Sequence, residues 1–391
     1  MQLSQRLTNI TGGGSDGWDV FYKARRMISD GVPVIELTIG EHDVRTDATI
    51  LAAMHRAATG GHTGYATISG VQALREKVAA RIQKNTCAET TYRNILITPG
   101  GQSALFAAHM ATCNPGDRAL FIDPYYATYP GTIRGAGAVP VPIRTHAENA
   151  FLPNGQDISA AASKGAASLL INSPNNPTGT VYSLETLQEI SNACIQNDIW
   201  LISDEVYDTQ VWQGAHISPR TLKNMADRTL VIGSMSKSHA MTGSRIGWLV
   251  GPEEAIDHLI NLATHTTYGV AGFIQDAAIF ALNQGPELEE KIAAPFRRRR
   301  ALAHTILDAQ KTVTLVPAQG AMYLMLDIRA TGLSGECFAN SLLDHHNIAV
   351  MPGESFGQSA AGHIRVAMTV ADEKFATAMQ TLVDHAAKLA A

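Results

Sequence analysis

The chain has 391 residues, which at about 150 per domain predicts two domains, or at most three. Hydrophobic residues make up 45% and charged residues 17%, too apolar for a disordered, collagen-like or coiled-coil protein. Thirty Lys+Arg against 35 Asp+Glu give a formal charge of −5, so no basic excess points to nucleic acid or to an anionic membrane.

The N-terminal stretch has no apolar signal-peptide core. No run approaches the ~18 apolar residues of a membrane span, so a soluble, cytoplasmic protein is expected. Residues 12–18 are glycine-rich and read as a frayed tail. Cys87, Cys113, Cys194 and Cys337 are scattered with no Cys-x-x-Cys pair. They read as buried free thiols in a reducing compartment. Short apolar, β-branched runs then recur at 94–98, 119–123, 168–172, 199–204, 229–233 and 246–251. Such continuous runs predict strands buried on both faces. The segments between have helical spacing, as at 184–193 behind a capping Ser183. Alternation of strand and helix predicts a mostly parallel α/β sheet.

Beyond Pro286 the pattern changes. A long charged helix is expected over 287–310, broken or bent near Pro295. Two strands over 320–328 and 363–368 and a closing helix over 372–390 follow. This predicts a large domain over 46–285 and a smaller α+β domain built from 1–45 and 286–391. The run Arg297, Arg298, Arg299 and Arg300 reads as a solvated helix face. Asp344, His345 and His346 lack a third convergent ligand, so no metal site is expected.

In open α/β sheets ligands sit beyond the carboxyl ends of the strands, and there the polar residues collect. Gly100, Gly101, Gln102 and Ser103 form a glycine turn opening a helix, which suits a single phosphate. Neither G-x-G-x-x-G nor a Walker sequence is present, which disfavours a dinucleotide or ATP. Residues 135–140 resemble a dinucleotide loop only superficially, because Pro140 interrupts them. Later strands end at Asp123, at Asn172 to Asn176, at Asp204 and at Ser234 to Lys237. A lysine among hydroxyls, a phosphate turn (Gly101, Ser103), a second cation (Arg245), an acid (Asp204) and an aromatic (Tyr126) together describe a pyridoxal phosphate site. The amine can form a Schiff base with the aldehyde, and the ring acts as an electron sink.

Four motifs sharpen this reading: Pro-Tyr-Tyr-Ala-Thr-Tyr-Pro (124–130), Ser-Pro-Asn-Asn-Pro-Thr-Gly (173–179), Ser-Asp-Glu-Val-Tyr (203–207), and Ser-Met-Ser-Lys (234–237) followed by Gly-Ser-Arg-Ile-Gly-Trp (243–248). They resemble those of class I/II aminotransferases, in family order from Leu37 to Arg365. The resemblance implies fold type I, a large domain with a mostly parallel seven-stranded sheet plus a smaller α+β domain, and pyridoxal 5'-phosphate as cofactor. It implies Lys237 as the Schiff-base lysine and proton shuttle, Asp204 as partner of the pyridine nitrogen, and Tyr207 and Asn176 on the ring oxygen. Tyr126 would stack on the ring. Arg245, Ser234, Ser103 and the amides of Gly101 and Gln102 would hold the phosphate, with Ser236 helping or capping the turn. Tyr65 matches the tyrosine that reaches the neighbouring subunit's phosphate, so a homodimer is implied. Arg365 matches the clamp on the substrate α-carboxylate, helped by the Gly40 backbone.

Several passages are also similar to arginine–pyruvate aminotransferases, among them 18–23, 236–243, 268–278 and 359–365. A guanidinium substrate needs a carboxylate near the mouth of the site, and Asp16, Asp19, Glu41 and Asp43 are available. Residues 263–268 lack the arginine that one subfamily uses for dicarboxylic substrates. The expected reaction is transfer of an amino group from a basic or neutral L-amino acid to a 2-oxo acid such as pyruvate, by ping-pong half-reactions. An aspartate-type aminotransferase and a pyridoxal phosphate C–S β-lyase are the alternatives. A transcription factor carrying this domain is not expected, since the family pattern begins near Leu37.

Overall fold

The computed structural model describes every residue except Asp16. One sheet holds seven strands in the order Ile95–Thr98, Gly247–Val250, Thr229–Ser234, Trp200–Asp204, Ala166–Asn172, Arg118–Asp123 and Val139–Arg144. All neighbours run parallel except Gly247–Val250, which is antiparallel to both of its own. The expected α/β class and mostly parallel sheet are therefore present. Side chains alternate across each strand. Leu96, Phe121, Leu170, Ile202 and Ile232 face Ala104, Leu105 and Ala108 of the helix Gly101–Thr112. Ile95, Ile97 and Val231 face Ile50, Leu74 and Val78 on the other side.

Six of these strands coincide with the apolar runs in the sequence. The seventh, Val139–Arg144, lies where the sequence reads as an interrupted loop. Pro140 and Pro142 are two residues apart, so both lack an N–H on the same side of the strand. At the edge of a sheet only one side must be paired, and the prolines are tolerated there.

The second sheet is antiparallel, in the order Met351–Pro352, His363–Ala367, Tyr323–Asp327 and Thr314–Leu315. The strand expected over 320–328 starts only at Tyr323, because Ala321 has a left-handed φ of 57°. Ile35–Glu36 pairs in parallel with Ile348–Ala349, so the N-terminal segment is stitched to the C-terminal part. The closing helix runs over Asp372–Ala390, as expected.

Three expectations need correction. The helix Pro286–Asp308 continues through Pro295 rather than breaking there. Its buried stripe of Ile292, Phe296, Arg299, Ala303 and Leu307 keeps helical spacing on both sides of the proline. The arginine run is not a uniformly solvated face either. Successive helical residues point about 100° apart, so four in a row sweep the whole circumference and one must turn inward. Arg299 does so: its side chain is 3% exposed, with Asp43 at 2.6 and 2.9 Å and Asp372 at 2.8 Å. Finally, the four cysteines are free, but only Cys194 is buried, while Cys87 and Cys337 are exposed. Among the described residues no helix is long and apolar enough to cross a membrane.

Arg299 joins a residue next to the N-terminal segment to the start of the last helix. Arg299→Ala should cost about 2–3 kcal/mol, since it strands two partly buried carboxylates. Arg298→Ala, at the exposed neighbour, should cost under ~1 kcal/mol. Urea denaturation midpoints of the two variants check the contrast.

Candidate active site

The carboxyl ends of the parallel strands and the second sheet enclose a cavity of about 400 Å³. At one end lies the glycine turn. Gly100 caps the helix Gly101–Thr112 with a φ of 78°. A Cβ there would fall 2.4 Å from Nη2 of Arg245, so only glycine lets the guanidinium come this close. The Thr242 carbonyl accepts from Arg245 Nη1 at 2.9 Å and holds it in place. Gly101, Gln102, Ser234, Ser236 and Arg245 all line this end of the cavity. Ser234 Oγ accepts from the Ser236 amide at 3.1 Å, so Ser234, not Ser236, caps the short helix Met235–Ser238. Helix amides, two hydroxyls and a guanidinium form an anion site. Ser103, further into the helix, is not on the cavity wall.

Deeper in the cavity lies Asp204, at the end of its strand and almost fully buried. Burial pushes its carboxyl up to about 6, against the pull of the Tyr129 hydroxyl and the Val206 amide. Tyr129 donates to Oδ2 at 2.7 Å. Asn172 donates to the Asp204 carbonyl at 2.9 Å and accepts the Asn176 amide at 2.7 Å. Neither Tyr129 nor Asn172 was singled out from sequence. Both were within reach, one inside the 124–130 motif and the other the last residue of a strand. Tyr126 also lines the cavity, its ring edge-on to Tyr129 at 5.8 Å, and burial pushes its phenol up to about 12.

Lys237 projects into the same space from the short helix after the strand Thr229–Ser234. Its Nζ donates to the Gly40 carbonyl. Its own carbonyl accepts from Gln210 Nε2 at 3.1 Å and from His42 Nε2 at 3.0 Å. Burial first, then nearby Lys237, push His42 down to about 3, so the ring is neutral. Burial lowers the Lys237 amine, and Arg365 and Arg245 lower it further.

Arg365 closes the cavity from the second sheet, 1% exposed. It donates to Asn176 Oδ1 at 2.8 Å and to the Thr38 carbonyl. Its guanidinium carbon lies 4.3 Å from the ring centres of both Tyr323 and Phe356. Tyr323 in turn meets the Tyr207 hydroxyl at 3.0 Å. Burial, with Tyr323 adding to it, holds the Tyr207 phenol well above the usual range.

The remaining candidates divide. Glu41 and Asp204 are the acids on the cavity wall among the described residues. Asp43 is taken up by Arg299, and Asp19 accepts from Ser15 at 2.5 Å. Asp16 lies outside the described residues. Trp18, at the end of the glycine-rich segment, reaches the wall. Tyr65 does not: it is 91% exposed, its ring edge-on to Tyr268 at 5.1 Å.

Comparison with known proteins agrees with this geometry. The family model described as "Aminotransferase class I and II" matches residues 32–382. The chain is 38% identical over 390 residues to the arginine–pyruvate transaminase AruH of Pseudomonas aeruginosa, covering 100% of this chain and 99% of that protein. It is 33% identical to the aspartate/prephenate aminotransferase of Thermus thermophilus, covering 92% of each. The solved structure of the Thermus thermophilus aspartate aminotransferase with maleate superposes with a TM-score of 0.92 at 32% identity, covering 98% of this chain and 100% of that one. The chain belongs to the class I and II aminotransferases, as a pyridoxal-phosphate-dependent transaminase of fold type I.

Proposed function

We propose that this transaminase moves the amino group of a basic or neutral L-amino acid to a 2-oxo acid such as pyruvate, the donor leaving as its oxo acid before the acceptor enters. One observation carries the choice of substrate. Among the described residues the cations on the cavity wall are Lys237, Arg245 and Arg365, and one further acid, Glu41, shares that wall. A dicarboxylic substrate would need another cation for its side chain, whereas a guanidinium or ammonium would find Glu41. The likeness to an arginine–pyruvate transaminase supports the same reading. The relatives named for aspartate and prephenate keep a dicarboxylic donor as the second reading.

The side chains fit pyridoxal phosphate: a built anion site, a buried acid and a buried amine share one cavity. Arg245, Ser234, Ser236 and the amides of Gly101 and Gln102 would hold the phosphate, with Ser103 behind them. Asp204 would meet the ring nitrogen, Asn176 and Tyr207 the ring oxygen, and Tyr126 the ring face. When bound, the cofactor supplies an electrophilic carbon for amines and a ring that withdraws electrons from the substrate α-carbon. Lys237 would carry it, and burial biases its amine toward the neutral form that can take the proton from that α-carbon. Arg365, braced by Asn176 and Thr38, binds the α-carboxylate. The Gly40 carbonyl accepts from the Lys237 amine.

Two further features belong to this reading. Exposed Tyr65 suits a residue that completes a second subunit's site, so the working form would be a cytoplasmic homodimer. The segments 46–285 and 1–45 with 286–391 would be its large and small domains, the cavity lying between them.

A donor panel with pyruvate, read as oxo-acid product, tests the substrate. Arginine or another basic donor should turn over faster than aspartate, and the reverse result selects the second reading. Glu41→Gln should raise KM for a basic donor about two- to fivefold, the worth of a partly hydrated ion pair, and leave a neutral donor unchanged. Asp204 attracts a cation only while ionised, so the charge is present above about pH 6 and lost below it. Apo-protein should bind pyridoxal phosphate more weakly as pH falls through that value. Tyr129→Phe removes a donor that favours the ionised form, and should move the midpoint up by roughly one unit. Spectrophotometric titration with the cofactor across pH measures this. Light scattering should give the mass of two chains, and a monomer with full activity would remove the dimer.

A further inference from the structure

Tyr323 is the one buried aromatic on the cavity wall, among the described residues, that touches both the ring-oxygen side and the carboxylate side. It is 3% exposed and opens the strand Tyr323–Asp327, next to the strand that carries Arg365. Its hydroxyl lies 3.0 Å from that of Tyr207. Its ring lies 4.3 Å from the Arg365 guanidinium carbon, and the Phe356 ring lies at the same distance. The backbone also crowds it: a Cβ on Gly40 would fall 1.8 Å from the Tyr323 oxygen. Gly40 is the residue whose carbonyl receives the Lys237 amine.

We infer that Tyr323 is a positioning residue with two separable jobs, its hydroxyl orienting the Tyr207 hydroxyl and its ring seating the Arg365 guanidinium. The first job follows from proton counting. Each phenol has one proton, and in a pair of phenols one donates and the other accepts. When Tyr323 donates to Tyr207, the Tyr207 proton is free to point into the cavity. Without that donation nothing fixes which way the Tyr207 proton turns. The second job follows from electrostatics. Among the described residues no carboxylate lies within bonding distance of Arg365, and the π-faces of Tyr323 and Phe356 supply the attraction that holds a desolvated cation. The two jobs sit on different atoms, so substitution can separate them.

This inference rests on the roles proposed above for Tyr207 and Arg365, and the experiment tells their failures apart. Holoenzyme is titrated with pH while the visible absorbance of the Lys237-bound cofactor is followed, and kcat and KM are measured with the best donor. Tyr207→Phe serves as the reference and should move the titration midpoint upward. Tyr323→Phe keeps the ring and loses the hydroxyl. It should move the midpoint the same way by roughly half a unit to one unit, the range of a single neutral hydrogen bond, with KM within about twofold. Tyr323→Leu loses the ring as well and should raise KM about tenfold.

A Tyr323→Phe titration that overlays the wild type, while Tyr207→Phe shifts, overturns the first job. If Tyr207→Phe itself leaves the midpoint in place, the role of Tyr207 fails and this job fails with it. Unchanged KM in Tyr323→Leu overturns the second job. A lowered melting temperature with neither shift marks Tyr323 as structural packing and overturns both.

Discussion

A guanidinium taken out of water without a carboxylate to face it is costly, and Arg365 is held in that condition, 1% exposed. Two aromatic faces, an amide oxygen and a backbone carbonyl share the charge, yet none of them neutralises it. Arg245 and Lys237 stand on the same wall, against the buried Asp204 and the more exposed Glu41. The guanidinium groups of Arg245 and Arg365 thus place an uneven charge along the cavity, one at the helix end and one at the second sheet. Both guanidinium groups suit anions, and the Lys237 amine shares the wall with them. The placement of the other polar groups follows from that imbalance.

The imbalance also explains why the cavity needs two sheets. The parallel strands end on Asn172, Asp204 and Ser234, which places an amide, an acid and a hydroxyl along one edge. Arg365 and Tyr323 come from neighbouring antiparallel strands with alternating side chains. The seam is bridged by Arg365 to Asn176, by the Tyr125 amide to the Phe356 carbonyl at 2.9 Å, and by the Ser359 amide to Asp123. The Tyr125–Phe356 bond anchors the residue whose ring covers Arg365. The contacts that join the sheets thus also fix the surroundings of Arg365.

Asp204 and Arg299 show how burial changes what a charge does. Among the described residues no cation is in bonding reach of Asp204, and burial raises it to about 6. A cation placed opposite would restore its ionisation. Arg299 instead finds two carboxylates within 3 Å and a carbonyl at 2.9 Å, and serves only to join segments. In the same run, Arg298 reaches Asp372 at 2.9 Å from an exposed position, and Arg300 donates to the Ala318 carbonyl at 2.9 Å.

Much of this was legible in the sequence because strands in a parallel sheet are buried on both faces, so their positions and the polar residues at their ends can be read from composition alone. Lys237, Asp204 and Arg245 stand out by their places at or beyond strand ends, Asn176 and Tyr207 only through the family motifs, and all five line the cavity. Val139–Arg144 escaped because an edge strand tolerates prolines that a central strand would not. Tyr129, Phe356 and Tyr323 escaped for a different reason. An aromatic in an apolar run looks the same whether it fills a core or seats a cation, and the difference lies in what the fold brings against it. Likewise, which acid of Glu41, Asp43 and Asp19 faces the cavity, and which arginine of four turns inward, depends on helix phase and on contacts between residues hundreds of positions apart. Local sequence determined the strands, the helices and the chemistry at strand ends. Long-range packing alone decided which side chains share a cavity, because burial and charge pairing are properties of neighbours in space.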